Sequence, residues 1–152
     1  MCIRDRNPSS TRLVNGCGLR LDFIRNECIE NGSGVSLSAG KRSSENCQLN
    51  ARILHNTIVS QSDHSIECIG GTTPDEYKPR YNKIQSVIAG NRLVNSGRSK
   101  ISLCAFQNSK TSNNTAIKGN SVTANIVFNL DGEGAAPFEE IIENEENKVY
   151  LE

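Results

Sequence analysis

"SVIAGNRLVNSGRSKISLC", residues Ser86 to Cys104, contains the repeating grammar of this 152-residue chain. An apolar–any–any–Asn phrase, "IAGN" (Ile88–Asn91), is followed after one variable residue by apolar Leu93. Small and polar residues then lead to an apolar–any–apolar triplet, "ISL" (Ile101–Leu103). The triplet has period 2, so its outer residues share one face and its middle residue takes the other, as in a half-buried strand. The central "NRLVNSG" (Asn91–Gly97) has a near twin in "TRLVNGCG" (Thr11–Gly18).

The asparagine phrase recurs as "FIRN" (Phe23–Asn26), "ILHN" (Ile53–Asn56), "IKGN" (Ile117–Asn120) and "IIEN" (Ile141–Asn144). The triplet recurs as "LRL" (Leu19–Leu21), "VSL" (Val35–Leu37), "IEC" (Ile66–Cys68), "IVF" (Ile126–Phe128) and "VYL" (Val149–Leu151). That makes six copies, with Thr11 in the asparagine's place in the first. The asparagine steps are 30, 35, 29 and 24 residues. The variation falls in stretches such as "IGGTTPDEYKPRYNKIQSV" (Ile69–Val87), which read as loops of different size. Short β-rich phrases joined by elastic loops are what stacked coils of a solenoid produce.

Asparagine has two reasons to recur at a coil corner. It tolerates the left-handed conformation, and stacked amides about 4.8 Å apart can hydrogen-bond from coil to coil. Asn26, Asn56, Asn91 and Asn120 are therefore expected to line one corner. Phe23, Cys28, Val35, Leu37, Ile53, Ile58, Ile66, Cys68, Ile88, Leu93, Ile101, Leu103, Ile117, Val122, Ile126 and Phe128 are expected to point inward.

Composition agrees with a turn-rich β chain: eighteen asparagines and twelve glycines against seven aromatics and no tryptophan. Lys+Arg and Asp+Glu balance at 17 each, so no global field points to nucleic acid or to a membrane surface. No apolar run approaches the roughly 20 residues of a membrane span. The six cysteines (Cys2, Cys17, Cys28, Cys47, Cys68, Cys104) lack metal-like spacing and read as small buried fillers. The opening "MCIRDR" resembles translated adaptor sequence, so residues 1–6 are expected to be non-native and 7–152 to form one partial domain. On that expectation the native N-terminus, with any signal peptide, would lie upstream.

The phrases from Thr11 to Glu152 resemble the right-handed parallel β-helix of the pectate-lyase-like superfamily. The resemblance implies an all-β solenoid of about five to six coils with variable loops and three short parallel strands per coil. It also implies that a polysaccharide lies across the triplet strands, that the setting is extracellular or at a cell surface, and that further coils of a parent chain stack on this one. One departure is the 15-residue step from Thr11 to Asn26, too short for a full coil.

If the triplets share one sheet, its outward middles are Arg20, Ser36, Glu67, Ser102, Val127 and Tyr150. Asp22, Asp63, His64, Arg98 and Lys100 flank them. A lyase of this fold needs a cation on the uronate carboxylate and a base for the C5 proton. Asp63 and Glu67, with Asp22, are candidate oxygen ligands for Ca²⁺, and Lys100 or Arg98 is the candidate base. A hydrolase needs converging carboxylates; Asp22 and Glu67, two coils apart, would lie about 9–10 Å from each other. Arg20, Ser36, His64, Tyr77 and Ser102 are candidate substrate contacts.

"SDHSIE" (Ser62–Glu67) lacks the flanking glycines of the polygalacturonase Gly-His-Gly phrase, so those catalytic residues are not carried over. Lys78 to Lys118 holds eight Lys/Arg and no acid, a belt that would attract an acidic glycan. Tyr81 and Phe106 are its only aromatics, too few to stack bases of nucleic acid. The competing readings are ordinary solvated charges, and a non-catalytic surface or phage-type fibre. For "PFEEIIENEENKVYLE" (Pro137–Glu152), repeat grammar predicts a last β coil with Ile141, Val149 and Leu151 inward, and helix periodicity fits less well.

Overall fold

The computed structural model describes residues 18–29, 32–40, 44–73, 79–105, 107–108, 119–127, 129–131 and 139–152. The first coil holds β1 (Gly18–Ile24), β2 (Glu27–Ile29) and β3 (Val35–Ser38). The second holds β4 (Gln48–Leu54), β5 (Thr57–Gln61), β6 (Ile66–Ile69) and short β7 (Thr72–Thr73). The third holds β8 (Lys83–Ala89), β9 (Arg92–Ser96), β10 (Ile101–Cys104) and short β11 (Gln107–Asn108). The fourth holds β12 (Ser121–Val127), β13 (Leu130–Asp131) and β14 (Glu139–Ile142), and β15 (Lys148–Leu151) begins a fifth.

Equivalent strands pair in parallel. A first sheet runs β1-β4-β8-β12-β15, a second β13-β9-β5-β2 and a third β14-β10-β6-β3, with β7 and β11 forming a separate pair. No helix occurs among the described residues. The chain is all-β, and its three main sheets of stacked parallel strands are consistent with a β-solenoid. Four circuits and the start of a fifth are described, and Thr11, which opens the first of the six repeat copies, lies outside the described residues.

Period-2 patterning decides the inward faces. In β4, Leu49, Ala51 and Ile53 are buried while Gln48, Asn50 and Arg52 face solvent. Parallel register stacks like on like: Leu49 under Ile84 and Val122, Ile53 under Ile88 and Ile126. Each fully buried Ile or Leu contributes roughly 1.5–3 kcal/mol, so a column of aliphatics suffices without tryptophan. Nearly every described position expected inward is buried, and Phe23 and Ile126 pack half-buried against the core. Ile117 and Phe128 lie outside the described residues. Cys28, Cys47, Cys68 and Cys104 are buried thiols, and burial pushes the Cys68 thiol up to about 12, where it is inert filler.

The expected single asparagine line is two lines. At the corner between the first and second sheets, Asn56 Oδ1 accepts from the Asn26 backbone N–H at 2.8 Å. Asn91 Oδ1 accepts from Asn56 N–H at 2.9 Å, and Asn129 Oδ1 from Asn91 N–H at 3.1 Å. Asn120 belongs to the opposite corner, where the chain enters the first sheet. There Asn82 Oδ1 accepts from Cys47 N–H, Asn120 Oδ1 from Asn82 N–H, and Asn147 Oδ1 from Asn120 N–H. In both lines each amide Nδ2 also donates up to the next Oδ1 and, in most rungs, across to a backbone carbonyl.

The left-handed residue is the one before the ladder position, which an asparagine fills at five of these turns and Cys47 at the sixth. Arg25, His55 and Gly90 at one corner, and Asn46, Tyr81 and Gly119 at the other, all have φ between 56° and 70°. The left-handed residue turns the chain, and the following asparagine ties coil to coil.

The triplets split in the same way. "VSL", "IEC" and "ISL" lie in the third sheet, whereas "LRL", "VYL" and the first two residues of "IVF" lie in the first. In the third sheet Leu103 is followed by Ile141 of "EEI". The C-terminal segment forms β14 and β15 as anticipated, but "IIEN" is not a corner phrase. Asn144 instead folds beneath Asn147, its Oδ1 accepting from Asn147 N–H at 2.9 Å and Nδ2 at 3.0 Å, which ends the second ladder. The Glu143 carboxylate accepts from Val149 N–H at 2.8 Å on the open edge. Ile141 and Leu151 occupy inward register positions beneath Leu103 and Ala124, yet are 47% and 52% exposed because no described coil covers them.

Candidate functional site

The third sheet presents one continuous polar column. Register aligns Ser36, Glu67, Ser102 and Glu140 on successive coils. Ser36 Oγ donates to Glu67 Oε2 at 2.8 Å, and Ser102 Oγ donates to Glu140 Oε2 at 3.5 Å. A hydroxyl between the carboxylates keeps like charges off adjacent rungs, where they would repel. Two strand spacings put the Glu67 and Glu140 backbones about 10 Å apart.

The segments leading into β6 and β10 stack beside this column. His64 Nδ1 lies 2.7 Å from Ser99 Oγ, one coil along. His64 Nε2 lies 3.5 Å from Asp63 Oδ1 and 3.8 Å from Glu140 Oε2. Arg98 Nε stands 3.6 Å from the same Asp63 oxygen, and its side chain is largely exposed. These groups border an open hollow of about 370 Å³ lined by His64, Glu67, Arg98, Ser99, Ser102 and Glu140, with Cys104 and Ile142 on its apolar side.

Of the residues singled out from sequence, the third sheet therefore gathers Asp63, His64, Glu67, Arg98 and Ser102, with Ser36 one rung from Glu67. Others fall elsewhere. Arg20 and Asp22 lie on β1 in the first sheet, so Asp22 and Glu67 are not a pair on one face. Arg52 grips Asp22 through two bonds of 2.7 and 2.8 Å, and that guanidinium holds the Asp22 carboxyl below the usual aspartate range. The proposed Ca²⁺ set of Asp22, Asp63 and Glu67 is thus divided between sheets. No group of three His, Cys, Asp or Glu suited to a metal ion occurs among the described residues. Lys100, expected outward as a base, is 2% exposed; it precedes β10, where strand alternation does not govern direction. Tyr77 lies outside the described residues.

Sequence reading missed Glu140 and Ser99. Glu140 was hidden because Val127 was assigned to its rung, whereas the true rung comes 38 residues after Ser102. Ser99 carries no local signal; only the two-coil register brings it to His64.

On the first sheet, a second hollow of about 340 Å³ is bordered by Lys83, Gln85, Thr123, Glu146, Lys148 and Tyr150. Its two lysines belong to different coils, with Thr123 on the coil between. The chain matches no protein-family model, no curated protein and no solved structure.

Proposed function

We propose that the chain is part of a right-handed parallel β-helix that binds a polysaccharide across the outer face of the third sheet. The right hand follows from the general handedness of crossovers between parallel strands. The observation that carries the functional reading is the Ser36–Glu67–Ser102–Glu140 column beside an open hollow. A straight row of alternating hydroxyls and carboxylates at strand spacing offers repeated acceptors to a row of sugar hydroxyls, and hydrogen bonds to a charged acceptor are the stronger kind.

Charge on this face favours a neutral glycan over an acidic one. Lys100 is buried, and Arg98 faces Asp63 with Glu67 and Glu140 nearby. The face therefore repels uronate chains more than it attracts them. An extracellular or cell-surface setting goes with such a partner.

Affinity electrophoresis of the 152-residue chain tests this reading. Gels containing neutral glucan, mannan or galactan should retard it at low and at high salt, and pectate or alginate should retard it less. Retardation by the acidic gels alone, abolished by salt, would overturn the assignment to this face.

A further inference from the structure

We infer that Ser99, His64 and Asp63 form a nucleophile–base–carboxylate relay that hydrolyses short-chain O-acyl esters on the glycan bound across the third sheet. The substrate class rests on the glycan-binding reading; the relay itself rests on its own geometry. Ser99 Oγ and His64 Nδ1 are 2.7 Å apart, a distance at which a proton can pass. On the other side of the ring, Nε2 faces two carboxylate oxygens, Asp63 Oδ1 at 3.5 Å and Glu140 Oε2 at 3.8 Å. An ionised carboxylate only accepts, so the tautomer that suits these neighbours carries its proton on Nε2 and leaves the Nδ1 lone pair for Ser99.

Asp63 Oδ1 adds an independent observation. It is a buried carboxylate oxygen with no hydrogen-bond partner. Its neighbours, His64 Nε2 at 3.5 Å and Arg98 Nε at 3.6 Å, make no hydrogen bond to it, and the His64 Nε2–H becomes a stronger donor toward it when the ring takes the serine proton. Contacts of this kind are often long before substrate binds and tighten in the reacting complex.

The surroundings suit an acyl group. Ser99 borders the open hollow, where Cys104 and Ile142 supply an apolar wall beside the polar column. A wall of one thiol and one aliphatic side chain offers contact for a short acyl group such as acetyl. Arg98, largely exposed on the rim and 3.6 Å from Asp63 Oδ1, is a cation of the same hollow that can meet the oxygen gaining charge on attack.

The chemistry balances with water as the only co-reactant. Ser99 Oγ attacks the ester carbonyl carbon, and its proton passes to His64 Nδ1. The bond from that carbon to the sugar oxygen breaks, and the leaving oxygen takes the proton from Nδ1. Water then attacks the acyl-serine carbon, giving its proton to Nδ1; the carboxylic acid leaves and Ser99 Oγ is reprotonated. Nothing is oxidised or reduced.

The test uses the whole 152-residue chain, p-nitrophenyl acetate as substrate and a fluorophosphonate as the covalent probe, with adducts mapped by mass spectrometry. The relay predicts one adduct, on Ser99, in the unmodified protein. Ser99→Ala and His64→Ala should each lower kcat/KM at least about 100-fold, the usual span of a positioned base. Asp63→Asn should lower kcat and leave KM unchanged, and Ser121→Ala on the first sheet should change neither. Because the adduct forms on the parent protein, a variant that misfolds does not spoil the result.

An unlabelled Ser99, with ester hydrolysis unaffected by Ser99→Ala, would overturn the relay and leave the His64 contact a structural hydrogen bond only. The two readings separate cleanly. Glycan binding retained by Ser99→Ala, with hydrolysis lost, supports both. Hydrolysis at Ser99 without any glycan binding upholds the relay and sinks the glycan reading.

Discussion

The ring of Tyr81 covers Gly119 on the next coil and leaves no space there for a Cβ. His55 covers Gly90 in the same way at the opposite corner. Both glycines also hold positive φ, +70° and +65°, so an alanine would meet strain and collision together. Gly119→Ala and Gly90→Ala should each cost at least about 1 kcal/mol. Gly32→Ala, where a Cβ meets open space, should stay within about 0.5 kcal/mol. Chemical denaturation midpoints at constant slope check the contrast, and equal effects at all three would refute the covered-corner geometry.

Asn91 holds the middle of its ladder. Its Oδ1 accepts from both Asn56 N–H and Asn56 Nδ2, and its own Nδ2 donates to Ile53 O at 2.8 Å. Asn91→Ala strands these buried groups and should cost about 2–4 kcal/mol. Asn144→Ala, at the half-exposed end of the other ladder, should cost less. Urea unfolding of the two variants reads the difference; a reversed order would count against the ladders as the coil-to-coil ties.

How much of this was legible in the sequence depends on the residue. The inward columns were, because Ile53, Ile88 and Leu103 obey period 2, with Ile53 stacking on Ile88 and Leu103 between Cys68 and Ile141. The distinction between the corners was not. Both use a left-handed residue followed by asparagine, so "IAGN" and "IKGN" look alike, and only the hydrogen bonds of Asn91 to Asn129 and of Asn82 to Asn120 separate them. Merging the corners pulled Val127 and Tyr150 into the column that Ser36 and Glu67 share with Glu140. His64 and Arg98 were visible as polar residues beside a strand, whereas the Ser99 contact depends on the exact length of one coil, 35 residues from His64.

The Asp22–Arg52 pair gives a pH signature. Arg52 lowers the folded pKa of Asp22 below its ordinary value of 3.8, so the pair's stabilisation is present above that value and is lost as pH falls through the lower folded value. Asp22→Asn lacks this contribution at every pH. The Tm gap between parent and variant should therefore shrink steadily below about pH 4. Thermal melts by circular dichroism across the acid range check it, and a gap that widens in acid would contradict the assignment. Both groups are solvent-exposed, so the gap at neutral pH should be small.

The most direct measurement is an isothermal titration of the retarding neutral polysaccharide into paired variants on two different sheets. Glu67→Gln with Glu140→Gln changes the third-sheet column; Gln85→Ala with Thr123→Ala changes the outward face of the first sheet. Replacing two charged acceptors should weaken binding at least about tenfold, and the first-sheet pair should leave it within about twofold. If the first-sheet pair abolishes binding while the third-sheet pair leaves it intact, the polysaccharide does not lie where the column predicts.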